Sequence, residues 1–191
     1  MKQKIATTLR HYQKRKINDE NLTPSAVLIP LFFNQGQCHV LFTERSQEVN
    51  FHKGQICFPG GTREPGDASL LQTALREAEE EIGLKTEDVE ILGELDDYET
   101  VVSGYFISPF VTFIPYPYPF NPDHKEVKRI LSVPLSALMD EANFRQEYQT
   151  YNGIGLQVYY YNYGEEVIWG ATARIVKQFI DLLRSEEGAL Y

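Results

Sequence analysis

Cysteine is nearly missing from this chain: Cys38 and Cys57 are the only two. Two thiols make neither a disulfide framework nor a zinc site, and Cys57 beside Phe58 reads as a small buried hydrophobe rather than a nucleophile. Long apolar runs are lacking as well. No stretch approaches the roughly 18 residues a membrane-spanning helix needs, and no charged-then-apolar leader opens the chain, so we expect a soluble cytoplasmic protein with no membrane partner. The four histidines, His11, His39, His52 and His124, are not spaced as metal ligands, and no serine, histidine and aspartate set stands out. Basic charge is scarce, at 18 lysines and arginines against 27 acids and a net charge of −9.

What is present is unevenly placed. Between Gly61 and Glu99 thirteen acids face only Arg63, Arg76 and Lys85, so the acidity is local and fits a cation-collecting site better than a generally solvating surface. The first sixteen residues carry six lysines and arginines and no acid. Ile5, Leu9 and Tyr12 repeat there at helical spacing, so a docked helix over about 2–16 with a basic outer face is expected, and no nucleic-acid partner, because no binding motif accompanies the charge.

With 191 residues and 42% hydrophobic content the chain can bury one sizeable core, and we expect a single domain over 1–191. Strands are expected at Ala26–Phe33, Cys38–Thr43, Val89–Leu95 and Tyr105–Ile114, then at Phe144–Thr150, Leu156–Tyr163 and Glu166–Ile168. Pro115 to Pro122 alternates proline with aromatics and cannot continue a central strand. Val133-Pro134 ends a strand ahead of a short helix, and Gly170 to Leu183 is an amphipathic final helix.

One segment concentrates the chemistry. Arg76-Glu77-Ala78-Glu79-Glu80-Glu81-Ile82-Gly83 has four glutamates in five positions on a helix expected from about residue 68 to 82, with Asp67 or Ser69 as cap and Gly83 as stop. Glu77, Glu80 and Glu81 stand at i, i+3 and i+4 and share a side, while Leu71, Ala74, Leu75, Ala78 and Ile82 form an apolar stripe that docks the helix. Carboxylates held together on a rigid element suit a hard divalent cation, Mg²⁺ or Mn²⁺. Upstream, Arg45 and Lys53 are cations on a polar loop that a bound phosphate would use, and Phe58-Pro59-Gly60-Gly61 lets backbone approach a ligand closely.

From Gly61 to Leu84 this segment resembles the Nudix box, G-x5-E-x7-R-E-U-x-E-E-x-G-U. Asp67 stands where the first glutamate is expected, eight residues rather than seven separate it from Arg76, and Ala78 is small for a bulky aliphatic. The coenzyme A pyrophosphatase branch has such a lengthened loop. Leu41-Phe42-Thr43-Glu44-Arg45-Ser46, His52 to Gly61 and Trp169 to Arg174 are also similar to that branch, with Asn50 in place of a signature arginine.

The resemblance implies an α/β Nudix fold, a mixed β-sheet sandwiched between α-helices, and divalent-metal-dependent hydrolysis of a diphosphate bond. Glu77, Glu80 and Glu81 would be metal ligands, with Glu80 able to act instead as base, and Arg76 would orient a glutamate by bidentate pairing. Glu126 would lie near the metals. Arg45, Asn50, His52, Gly60, Gly61, Thr100 and Ser103 would contact substrate, although Thr100 and Ser103 are also residues that commonly bond local backbone. The implied substrate is coenzyme A or a thioester of it. ADP-ribose hydrolysis and a non-catalytic nucleotide-sensing module are the alternatives, and a homodimer stays open.

Overall fold

The structure, a computed structural model, describes residues 1–48, 53–100, 103–151 and 153–188, and of Ile154 and residues 186–188 the backbone alone. Helix α1 (Lys2–His11) is followed by strands β1 (Thr23–Asn34), β2 (Gln37–Arg45), β3 (Ile56–Cys57) and β4 (Gly60–Thr62). Helix α2 (Leu70–Ile82) comes next, then β5 (Glu90–Glu94), β6 (Tyr98–Glu99), β7 (Tyr105–Phe113) and β8 (Val127–Pro134). Helix α3 (Leu135–Met139), β9 (Phe144–Tyr151), β10 (Ile154–Tyr163), β11 (Glu166–Trp169) and α4 (Gly170–Gly188) complete the chain.

The large sheet is mixed. Its path runs β3-β2-β1-β7-β5, with β4 on β1, β6 on β7 and β8 on β2; β1 and β7 are parallel and the other pairs antiparallel. Pro30 and Pro109 sit in mid-strand, and the register shows why they are tolerated. On one side β1 pairs with β4 through residues 25–27 and with β2 through residues 31–34, so Pro30 falls at the handover, where no partner needs its missing amide. Pro109 does the same on β7, between the residues paired with β6 and those paired with β5.

Alternation along β1 divides the core. Ala26, Leu28 and Phe32 face one side, where Ala74, Ala78 and Ile82 of α2 pack with Leu41, Phe110 and Ile114, all nearly inaccessible to water. Ile29 and Leu31 face the other side, under α1, α3 and α4, where Val40, Phe42, Val111 and Phe179 meet them. Helices on both faces of a mixed sheet is the expected architecture. A second sheet, β11-β10-β9, closes over this second core with Tyr159, Tyr161 and Ile168. Among the described residues no helix is long and apolar enough to cross a membrane.

The first helix is shorter than expected. It stops at His11, and residues 12–17 form an arm instead, because Asp96 and Asp97 collect its donors. Asp96 accepts from the Tyr12 hydroxyl (2.6 Å), the Arg15 amide (2.8 Å) and Arg15 Nε (2.6 Å), and Asp97 accepts from the Ile17 amide (2.9 Å). Strand β8 is longer than the strand end expected at Val133, since it pairs with β2 from Val127 onward.

Candidate active site on the second helix

Helix α2 is held at both ends by the residues its sequence offers. Ser69 accepts the Gln72 amide at 3.2 Å as N-cap, and Gly83 takes the left-handed conformation (φ 68°) that a side chain disfavours. Its last carbonyls are met from elsewhere: the amides of Asn121 and Asp123 bond to the carbonyls of Ile82 and Glu81, each at 3.0 Å. The stiff aromatic loop thus ends docked on the helix terminus and carries Glu126 round toward Glu81. A bond from the Ser46 amide to the Glu126 carbonyl (2.7 Å) ties that turn to the end of β2, beside Arg45.

The glutamates do not all share one environment. Glu81 is 3% exposed; its Oε2 accepts the Gly60 amide at 3.1 Å, and its Oε1 lies 3.8 Å from Arg45 Nη1. Burial pushes the Glu81 carboxyl up to about 8, opposed by the Gly60 amide and Arg45 and reinforced by the charges of Glu77 and Glu126. Glu77 is also raised, by burial first, with Arg76 opposing and Glu80 and Glu126 adding repulsion. Glu77, Glu81 and Glu126 therefore lie within each other's field.

Glu80 departs from the expected arrangement. Its side chain is 61% exposed and bound by Arg76 Nη1 at 3.0 Å. Helical geometry is the reason: Glu80 and Glu81 straddle Glu77 and lie about 100° apart around a 3.6-residue turn, so burying one against β4 leaves the other facing water. Among the described residues no three histidine, cysteine or acidic side chains stand close enough together to hold an ion. The shared face expected for Glu77, Glu80 and Glu81 is thus realised for Glu77 and Glu81 only.

Arg76 does pair as a fork, but its main partner is Asp67. Nε and Nη2 each lie 3.1 Å from the Asp67 carboxylate, while Nη2 also reaches Glu77 Oε1 (3.0 Å) and the Thr62 carbonyl (3.1 Å). Asp67 accepts in addition from the Glu64 amide and the Thr73 hydroxyl, each at 2.9 Å. Arg76 first and these donors next hold its carboxyl well below the usual range. Asp67 therefore anchors Arg76, and Arg76 holds both Glu77 and Glu80.

The two glycines have local reasons. A Cβ on Gly60 would lie 2.2 Å from the Ala26 carbonyl oxygen, and its φ of +148° suits glycine alone. A Cβ on Gly61 would meet the Glu77 carboxylate at 2.6 to 2.7 Å, so Gly61 is the space that carboxylate occupies. Arg45 ends β2 with its Nε buried and, among the described residues, without a hydrogen-bond partner. Thr100 and Ser103 hydroxyls lie 2.7 Å apart, and Thr100 Oγ1 also accepts the Tyr105 amide at 3.0 Å, which is local bonding. Asn50 and His52 lie outside the described residues. Burial raises both thiols, Cys38 and Cys57, to about 11, in keeping with inert cysteines.

Sequence reasoning missed Glu44, a buried carboxylate on β2. Burial would raise it, but Lys128 (2.6 Å) and Arg129 (2.5 Å) lower it further, and Arg129 goes on to Glu166 of β11, joining the two sheets beside Arg45. Nothing in a lone Thr-Glu-Arg-Ser signals partners more than eighty residues away.

Comparison with known proteins agrees with this geometry. The NUDIX domain family matches residues 22–151. The chain belongs to the Nudix family. An uncharacterized Nudix hydrolase, NudL, of Photorhabdus laumondii is 35% identical over 164 residues, 86% of each chain, and a NudL of Yersinia pestis is 36% identical over 80% of this chain and 76% of its own. The crystal structure of a MutT/nudix family protein from Enterococcus faecalis superposes with a TM-score of 0.55 at 17% identity, covering 93% of this chain and 68% of that one. A MutT protein from Methanosarcina mazei gives 0.54 at 18%, covering 92% and 98%. The fold is a Nudix fold and the chain is a Nudix hydrolase.

Proposed function

We propose that this Nudix hydrolase is a cytoplasmic enzyme that cleaves the diphosphate bond of coenzyme A or its thioesters, with Mg²⁺ or Mn²⁺, to adenosine 3′,5′-bisphosphate and the (acyl)phosphopantetheine. The observation that carries the reaction is the pair Glu77 and Glu81, held against Gly60 and Gly61 and repelling each other, with Glu81 buried and Glu77 partly so. All the donors are carboxylate oxygens, the chemistry a hard divalent cation selects, and such an ion would offset the burial that raises both groups. Glu77 and Glu81 would hold it, with Glu126 in their field and Glu80, exposed but paired with Arg76, joining as ligand or base once it leaves that pair. When bound, the ion supplies Lewis acidity and a template for the diphosphate.

The protein's own groups do the remaining work. Asp67 fixes Arg76, which fixes Glu77 and leaves Glu80 at the solvent edge. Arg45, whose Nε has no hydrogen-bond partner among the described residues and whose Nη1 lies near Glu81, is the cation placed for a phosphate oxygen. The coenzyme A assignment is supported by the Leu41–Ser46 and Phe58–Gly61 stretches and by the lengthened loop before Arg76.

Asn50 in place of a signature arginine favours a second reading, ADP-ribose or another nucleoside diphosphate derivative without a 3′-phosphate. Turnover assays separate them: adenosine bisphosphate released from coenzyme A with Mg²⁺ or Mn²⁺ supports the first, and cleavage of ADP-ribose alone refutes it. Tight nucleotide binding with no product from either would mark a non-catalytic module, which has no need of the glutamate pair. Asn50→Arg should tighten coenzyme A more than 3′-dephospho-coenzyme A, and an equal effect on both removes Asn50 from the account.

A further inference from the structure

The second sheet ends in a bare edge. Strand β9 pairs with β10 over eight consecutive positions without a register shift, and among the described residues nothing pairs with its other side. Every residue after Phe144 is exposed, Tyr148 to 82% and Tyr151 to 50%. Free edges are normally blunted by proline, lysine, a bulge or a covering element, because their unpaired N–H and C=O groups template another strand. Phe-Arg-Gln-Glu-Tyr-Gln-Thr-Tyr has no proline, lysine or bulge, and its only charges, Arg145 and Glu147, are opposite in sign and bonded to each other.

We propose that β9 is a self-association surface: a second copy lays its own β9 antiparallel against the first about a two-fold axis, joining two three-stranded sheets into one of six strands. The ladder itself gives the register. It runs to Tyr151 opposite Ile154 across a two-residue connection, so that pair exchanges backbone bonds, as do Gln149, Glu147 and Arg145 with their partners on β10. The backbone groups of Gln146, Tyr148 and Thr150 therefore point outward.

An axis through Gln146 pairs the outward groups of Gln146 with those of its own copy and the groups of Tyr148 with the partner's Phe144, and it sets Arg145 opposite the partner's Glu147, with Glu147 opposite the partner's Arg145. Centring one residue later would keep the outward backbone groups paired but set glutamate against glutamate. A second copy is the occupant because the complementarity is generated by one strand: both signs lie on the same face, two residues apart, at equal distances from the axis.

Sedimentation equilibrium on the full chain at micromolar concentration should give twice the 22.0 kDa chain mass. Gln146→Pro removes an outward amide and leaves the ladder to β10 intact, and Arg145→Glu sets like charges across the axis; each should return the monomer mass. Arg145→Glu/Glu147→Arg exchanges the signs, restores the alternation and should recover the dimer. Far-ultraviolet circular dichroism shows that each variant is folded, and the charge pair decides the matter should Gln146→Pro not fold. A wild-type monomer overturns the proposal. So does a dimer that the single variants leave intact, or a double variant that stays monomeric.

Discussion

Replacing Glu81 by glutamine should abolish activity and stabilise the metal-free protein at the same time. The folded carboxyl titrates at about 8, well above its ordinary range, because it is buried beside Glu77 and Glu126. The folded state thus holds this proton more tightly than the unfolded chain, so the group's favourable contribution is complete below about pH 4 and is lost as pH rises through 8. A shift of that size corresponds to at most about 5 kcal/mol of charge burial above pH 8.

Glutamine mimics the protonated carboxyl and can still accept the Gly60 amide, but it leaves Arg45 without its partner. We therefore expect a gain of roughly 2–4 kcal/mol at pH 8 in chelator, shrinking to near zero below pH 5. Urea denaturation at several pH values in EDTA measures it, and diphosphate hydrolysis should meanwhile fall by several orders of magnitude because a ligand is gone. Adding Mg²⁺ should stabilise the wild type and not the variant. A variant no more stable than wild type at pH 8, or one that hydrolyses at near-normal rate, refutes the placement of Glu81 as a buried charge awaiting a cation.

Arg76→Lys should lower turnover roughly 10–100-fold, because a point charge cannot hold Asp67, Glu77 and Glu80 together; steady-state kinetics would show it in kcat. Gly61→Ala should cost a similar factor of roughly 10–100 by pushing the Glu77 carboxylate off its position, with little change in the urea midpoint, since the displaced atoms are the end of a flexible side chain. Gly60→Ala should instead destabilise by about 1–3 kcal/mol, because its Cβ meets the Ala26 backbone and its φ is unsuited to alanine. Asp96→Asn should loosen the N-terminal arm at a cost of roughly 1–3 kcal/mol in urea unfolding, as the three donors it accepts lose their charged partner.

Much of the fold was legible in local pattern. The apolar run of β1, the period-3.6 stripe of α2 with Ser69 and Gly83 at its ends, and the proline-aromatic loop all follow from neighbours in sequence. The end of α1 was not, since its helical pattern continues past His11 and is overridden by Asp96, more than eighty residues away. The site divides the same way. The spacing of Glu77 and Glu81 was readable, yet the orientation of Glu80 and the capture of Arg76 by Asp67 depend on which side of the helix β4 covers. Glu44, with partners on β8, left no local trace.

The sequence by itself determined the elements and the types of group available: a docked acidic helix, two glycines before it and a cation at Arg45. Periodicity and capping act over a few residues, so they can be read without a third dimension. Only the tertiary structure decided which glutamates are taken out of water and which aspartate fixes the arginine. Burial and Coulomb interaction depend on distance in space, and α2, β4 and the Asn121–Glu126 turn meet only when the sheet has assembled.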